Sequence, residues 1–167
     1  MYVVYENNLW KDENIMKLAE ALIERASMKS ALEQVKSRME ANVSVQEGNT
    51  PAEDINELMS TYLSMNAKFT DLICKINKTN QTIKNSSGTT LAELITRRDN
   101  YKHLAKVYRD LYSAATFSQH RYARNEILLV RMVDAAELQK KIDEFSKNYR
   151  QLDTEIQGIN WTSDLIE

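Results

Sequence analysis

The stretch from Ile55 to Ile83, INELMSTYLSMNAKFTDLICKINKTNQTI, decides the fold class of this chain. Its apolar residues recur at spacings of three and four: Ile55, Leu58, Tyr62, Met65, Phe69, Leu72 and Ile76, and the pattern passes Thr79 to end at Ile83. Such spacing, sustained over about four heptads, is typical of a long straight helix that packs as in a coiled coil. The stretch therefore predicts the second helix of a helical protein.

Three further stretches have the same apolar stripe, and each predicts a long helix. Helix one carries Leu18, Ala21, Met28, Leu32, Val35 and Met39, helix three carries Leu91, Leu94, Tyr101, Ala105, Tyr108, Tyr112 and Ala115, and helix four carries Leu138, Ile142, Phe145, Tyr149, Leu152, Ile156 and Ile159. Two stripes contain an arginine where the spacing expects an apolar residue, Arg25 in helix one and Arg98 in helix three.

Three capping boxes predict where helices two, three and four begin. They are Thr50-Pro51-Ala52-Glu53, Thr90 with Glu93, and Asp134 with Glu137. Loops over 42–49 and 85–89 then join helical hairpins. The apolar, partly β-branched run 127–133 predicts an extended crossover over 118–133, and Gly158 with the polar tail after it is expected to close helix four.

Composition supports an all-α fold, an elongated four-helix bundle with coiled-coil-like seams and one extended crossover before the last helix. Three glycines and one proline in 167 residues are too few for the turns of a sandwich, a barrel or a βαβ series. The single Cys74 permits no internal disulfide and no cysteine-built zinc site, and beside the apolar stripe it is expected to be a small core residue. We expect a cytoplasmic protein with no membrane span.

Residues 1–15, MYVVYENNLWKDENI, have no apolar period and do not resemble a secretory signal. Met16 opens a clean amphipathic pattern, and the codons for 10–13 permit a purine-rich string that resembles a bacterial ribosome-binding site. We interpret 1–15 as an extension from an over-long gene prediction and expect a single helical domain over 16–167. Translation from Met1 and translation from Met16 both stay open.

Several motifs, in order, resemble the septicolysin-named family of small bacterial proteins. They are MKLAEALIERA from Met16, VQEG with PAED at 45–54, INKTN at 76–80, RRD at 97–99, RYARNEI at 121–127, VD at 133–134 and NWT at 160–162. The resemblance implies an all-helical protein without an established activity. Its cytolytic name finds no support in a chain that has neither a secretion signal nor a spanning apolar stretch.

The two stripe arginines are the first candidate binding residues, because a buried guanidinium keeps its proton and needs an anionic or carbonyl partner. The favoured interpretation is a structural ion pair with Glu24, Asp99 or Glu126, or an arginine whose tip reaches solvent. The alternative is a pocket in which Arg25, Arg98, Arg121 and Arg124 surround an anionic small molecule such as a phosphate or carboxylate.

The loop over 42–49 is longer than a helical hairpin needs, and it supplies Asn42, Gln46 and Glu47 as further candidate binding residues. The bland interpretation is that Asn42 caps helix one and that Glu47 is solvated.

Residues 97–131 hold eight lysines or arginines against three acidic residues, with tyrosines interleaved. This window is typical of nucleic-acid binding. An overall charge of −2 favours instead core and interface tyrosines, with basic residues that meet an acidic face of a neighbouring subunit.

No spacing of histidines, carboxylates or glycines predicts a catalytic, metal or cofactor site. The long apolar stripes on all four helices offer more apolar surface than a slender four-helix monomer can bury, which favours self-association. The favoured function is a homo-oligomer that acts by binding, ahead of a small-molecule binder or enzyme with an arginine- and asparagine-lined pocket. Nucleic-acid binding ranks third.

Overall fold

The computed structural model describes residues 15–116 and 130–166, and all its regular structure is helical. Four helices follow in order: α1 over Leu18–Asn42, α2 over Ile55–Thr82, α3 over Leu91–Thr116 and α4 over Ala135–Thr162. Helices make up 77% of the described residues, which contain no β-strand. The all-α prediction with four long helices is confirmed.

The helices form two compact units. The first unit runs through Thr79 and includes the chain from Asn160 onward, so it holds α1, most of α2 and the C-terminal tail. The second unit covers Asn80–Ile159 and holds α3 and most of α4. The prediction of one domain over 16–167, and of a separate extension over 1–15, stays a prediction.

In the first unit the apolar stripes of α1 and α2 form the core, with Leu18, Leu32, Val35, Leu58, Leu72 and Ile76 all buried. The C-terminal tail adds a third layer of contacts at one end. Ser163 accepts a hydrogen bond from the Leu18 N–H, and the Leu165 N–H donates to the carbonyl of Met16, both over 2.9 Å. Lys17 Nζ lies 2.5 Å from Asp164 Oδ1. The tail therefore closes over the start of α1.

In the second unit α3 and α4 run antiparallel, because Asn85 before α3 contacts Glu155 late in α4, while the end of α3 contacts the residues before α4. The core contains Leu91, Leu94, Ala105, Leu138, Ile142 and Ile156. Phe145 on α4 packs against two tyrosines of α3, with ring centroids 6.3 Å from Tyr101 and 5.3 Å from Tyr108.

Two of the three predicted helix starts are confirmed. Thr90 and Glu93 form a reciprocal capping box before α3, with both hydrogen bonds at 3.2 Å. Asp134 Oδ1 accepts the Ala136 N–H over 2.7 Å and caps α4.

The predicted cap at Thr50 is wrong, because α2 begins at Ile55 and Asp54 is its N-cap, accepting the Asn56 N–H over 2.7 Å. The reason is tertiary. The Glu53 carboxylate, which a Thr50 capping box needs, is held by Arg38 of α1 instead.

Two further predictions concern the end of α4 and the crossover before it. Gly158 does not end α4, which continues to Thr162; a helix interior tolerates glycine at a modest cost. Of the predicted crossover over 118–133, only 130–133 is described, without regular structure, and the rest lies outside the described residues.

Candidate functional site

Arg98 is the predicted site residue that the structure places in a polar contact between helices. Its Nη1 lies 3.2 Å from Asp153 Oδ1 on α4, and its Nη2 lies 2.8 Å from Asp99 Oδ1 on its own helix. The Arg98 side chain is 23% exposed, so the guanidinium is partly desolvated. Asp99 was among the expected partners, whereas Asp153 carries no sequence signal that relates it to Arg98.

The environment of Arg98 keeps its charge firmly in place. Desolvation lowers the pKa of Arg98, but hydrogen bonds and charges from Asp99 and then Asp153 outweigh that effect, and the net direction is upward. Both carboxylates are already engaged by this guanidinium. This supports the structural ion pair over an arginine waiting for a ligand.

Arg25 differs from Arg98 although both occupy apolar slots of a helical stripe. Arg25 is exposed, and among the described residues it makes no hydrogen bond or ion pair. This exposure fits the interpretation of a stripe arginine whose tip reaches solvent rather than that of a buried ion pair. Arg121 and Arg124 lie outside the described residues.

The loop candidates hold the chain rather than line a pocket. Asn42, the last residue of α1, donates from Nδ2 to the Arg38 carbonyl over 2.9 Å and accepts the Glu53 N–H at Oδ1 over 3.1 Å. The Gln46 carbonyl accepts the Asn49 N–H in a tight turn in which Gly48 has a φ of 88°. Gln46 and Glu47 are exposed. These contacts support the interpretation that Asn42 caps helix one and that Glu47 is solvated.

The tyrosines of the basic window contribute to the core of the second unit. Tyr101 and Tyr108 are half-buried against Phe145, so both contribute to packing between α3 and α4. Lys106 pairs with Asp110 over 3.0 Å, and Arg98 is paired as described above. Part of the positive charge of the window is therefore neutralised within the unit.

A cavity that the sequence did not reveal lies between α3 and α4. It has a volume of about 370 Å³ and is lined by Lys102, Ala105, Arg109, Ser146, Tyr149 and Arg150. We call it the cationic pocket. Three of its six lining residues are positively charged and none is acidic. Lys102 and Arg109 lie seven residues apart in α3, so the sequence predicts that they share one helix face. Their position opposite Arg150 depends on the packing of α4 and could not be predicted.

A second feature of this unit is an exposed apolar surface, formed by Leu111, Val130, Met132 and Val133, which we call the apolar patch. These side chains are 50%, 71%, 88% and 50% exposed, respectively. They line a groove of about 500 Å³ beside the end of α3. Arg131 Nε donates to the Ala115 carbonyl over 2.7 Å, which fixes 130–133 against that helix.

Asn85 is a connecting residue that the sequence analysis missed. Its Oδ1 accepts the N–H groups of Ser87 at 3.1 Å and Thr89 at 2.9 Å, and its Nδ2 donates to Glu155 over 2.8 Å. Asparagine before Ser-Ser-Gly is a common turn former, so the turn was predictable but the Glu155 contact was not.

Other classes of site find no support in the described part of the chain. Across 15–116 and 130–166, no cluster of three histidines, cysteines or carboxylates is placed to hold a metal ion. No helix in that part is both long and apolar enough to cross a membrane. Cys74 is exposed, so its prediction as a core residue is wrong; the apolar stripe of α2 is narrower than expected there.

A family model described as "Family of unknown function (DUF6847)" matches residues 25–165. The chain belongs to DUF6847. A solved structure described as a functionally unknown conserved protein from Corynebacterium diphtheriae is 37% identical, with a TM-score of 0.84, over 90% of this chain and 99% of that one. The search of curated proteins found no match. The DUF6847 match does not test the resemblance to the septicolysin-named family, which stays a prediction.

Proposed function

We propose that this protein is a cytoplasmic homo-oligomer that acts by binding rather than by catalysis. The observation that carries the proposal is the apolar patch, in which Met132 is 88% exposed and Val130 is 71% exposed. Exposed apolar side chains that cluster on one surface are typical of protein interaction sites. The occupant that we propose for this patch is a second copy of the same chain.

The charges around the patch support pairing of identical copies. A two-fold interface brings one surface against itself, so that surface must complement its own charges. The cavity of about 630 Å³ next to the patch is lined by charged residues of both signs. Asp134 and Glu137 are acidic, and Lys140 and Lys141 are basic. A partner of strongly single-signed charge would meet repulsion from one of the two sets.

The apolar patch is formed by two elements of the second unit, and one of them is held in place by a hydrogen bond. Leu111 lies on α3, while Met132 and Val133 precede α4, so the patch joins two elements of the same unit. Arg131 secures the segment through its bond to Ala115, which reduces the ordering that association would otherwise require.

Light scattering on paired variants tests the proposal. Met132→Asp places a charge in the patch and is expected to convert the oligomer to a species of 19.4 kDa, because burying an unpaired carboxylate is costly. Leu63→Asp on α2 is the matched control, since Leu63 is 66% exposed and belongs to the other unit. It should keep the wild-type mass.

Circular dichroism is the control that checks whether both variants fold. Dissociation by Leu63→Asp but not by Met132→Asp would show that the interface lies elsewhere, and a monomeric wild type would contradict self-association altogether.

The described residues also support the low rank given to nucleic-acid binding. Two tyrosines of the basic window, Tyr101 and Tyr108, are half-buried against Phe145, and two of its cations, Arg98 and Lys106, are paired with carboxylates, so these four side chains are less available for stacking and phosphate contacts.

A further inference from the structure

We propose that the cationic pocket between α3 and α4 binds a small phosphoryl dianion, either inorganic phosphate or the terminal group of a phosphate monoester. The inference goes beyond the self-association proposed above, because it names a different site and a small-molecule ligand class and uses none of the residues of the apolar patch. The proposal stands on the shape of the pocket, its charge and its donors.

The pocket owes its shape to a small residue in the helix interface. Ala105 is 2% exposed and lies on α3 between Lys102 and Arg109, at spacings of three and four. Residues at these spacings share one helix face. The short side chain of Ala105 leaves the space that larger stripe residues fill elsewhere, and the cavity of about 370 Å³ falls in the range of small-molecule sites.

All the charged residues that line the pocket are positive. Lys102 and Arg109 on α3 and Arg150 on α4 line it, and no carboxylate does. Within the part of the chain that the structure describes, none of these three cations forms an ion pair. Three positive charges without a counterion on neighbouring helices repel one another, and an anion between them relieves that repulsion.

Two carboxylates close in sequence to the pocket arginines do not supply the missing counterion, because each is paired elsewhere. Asp110, adjacent to Arg109 in sequence, pairs with Lys106 over 3.0 Å. Asp153, three residues after Arg150, pairs with Arg98 over 3.2 Å. The pocket thus keeps its excess charge next to acid groups that are already engaged.

The donors of the pocket match a phosphoryl group better than a carboxylate. The two guanidinium groups provide planar forks and Lys102 provides an ammonium, while Ser146 and Tyr149 add hydroxyl groups. Arg109 Nη2 donates to Ser146 Oγ over 3.0 Å, so these two lining groups lie side by side. A dianion with three terminal oxygens uses more of these donors and neutralises more of the charge than a carboxylate does.

Isothermal titration calorimetry with inorganic phosphate, at constant ionic strength, tests the inference. The wild type is expected to bind one phosphate per chain with saturation, and phenyl phosphate is expected to bind at the same site. Acetate, a carboxylate monoanion, should bind more weakly. Arg109→Gln and Arg150→Gln should each weaken phosphate binding by roughly tenfold or more, the effect of losing one charge-assisted contact.

Arg97→Gln is the matched control. Arg97 is an exposed arginine of α3 that lines a different cavity, together with Glu155. It removes the same charge from the same helix and should leave phosphate affinity within about twofold of the wild type. All three substituted side chains are exposed, so the helices should form normally, and circular dichroism checks this.

Three outcomes would overturn the inference. The first is an absence of saturable phosphate binding to the wild type, and the second is an equal loss of affinity in Arg97→Gln. The third is tighter, steeply salt-dependent binding of a single-stranded oligonucleotide, which would make the pocket part of a nucleic-acid surface. None of these readouts depends on the mass of the protein, so the inference and the proposed self-association can fail separately.

Discussion

Thr79 near the end of α2 holds the C-terminal tail onto the first unit, and Thr79→Val is expected to weaken that contact specifically. Thr79 is fully buried, donates its hydroxyl to the Lys75 carbonyl over 2.8 Å and accepts the Ile166 N–H over 2.9 Å. Valine has nearly the same shape but cannot accept a hydrogen bond, so the substitution leaves the half-buried Ile166 N–H without its partner.

The magnitude follows from two opposing effects. An unpaired, desolvated N–H costs about 1–3 kcal/mol, whereas the methyl group that replaces the hydroxyl in Thr79→Val contributes about 0.8 kcal/mol of burial. The free energy of unfolding should therefore fall by roughly 1 kcal/mol, which lowers the melting temperature by about 2–4 °C for a chain of this size.

Thr70→Val is the matched control in the same helix. Thr70 also donates its hydroxyl four residues back, to the Asn66 carbonyl over 2.9 Å, but it is exposed and accepts no bond from the tail. Its substitution should change stability by less than about 0.5 kcal/mol. Urea unfolding followed by circular dichroism gives both values, and amide hydrogen exchange at Ile166 should accelerate in Thr79→Val alone. Equal stabilities for the two variants, with unchanged exchange at Ile166, would refute the role given to Thr79.

Two further predictions concern the turns and the α1–α2 connection. Gly88→Ala should destabilise the protein by about 1 kcal/mol, because Gly88 has a φ of 80°, whereas Gly158→Ala in the interior of α4 should stabilise it by up to about 1 kcal/mol; thermal melts that give both variants the same sign would contradict this. The hydrogen bond from Arg38 lowers the pKa of Glu53. Desolvation of the carboxyl group opposes this effect, and the positive charge of Arg38 adds a smaller lowering. A carboxyl whose pKa is depressed by folding adds stability at neutral pH, and this is lost as the pH falls through the folded-state pKa. Urea melts from about pH 7 to about pH 3 should therefore show a stability difference between wild type and Arg38→Gln that shrinks toward acid pH, and a constant difference would contradict the assignment.

The helices were predictable because their signals are local. The stripe of α2 and the capping box of Thr90 and Glu93 lie within a few turns of chain, and both were recognised. The start of α2 was not, since Thr50 and Asp54 are both good N-caps. Asp54 is the N-cap in the structure, where Arg38 of α1 forms hydrogen bonds to the Glu53 carboxylate that a Thr50 capping box would use.

The candidate site was less predictable because it depends on how α3 and α4 are aligned. Arg25 and Arg98 occupy equivalent slots in their stripes. Within the described residues Arg98 alone of the two pairs with carboxylates, and one of them, Asp153, lies 55 residues away in sequence. The same applies to the cationic pocket. The spacing of Lys102 and Arg109 shows a shared face, but the facing position of Arg150 follows only from the packed helix pair.

The most direct test of the central claim, that this chain acts as a self-associating binding protein, is the molar mass of the wild type in solution. Sedimentation equilibrium over a dilution series at micromolar concentrations measures it without reference to shape. We predict a mass of at least twice 19.4 kDa that falls on dilution. A constant 19.4 kDa at every concentration would contradict the claim.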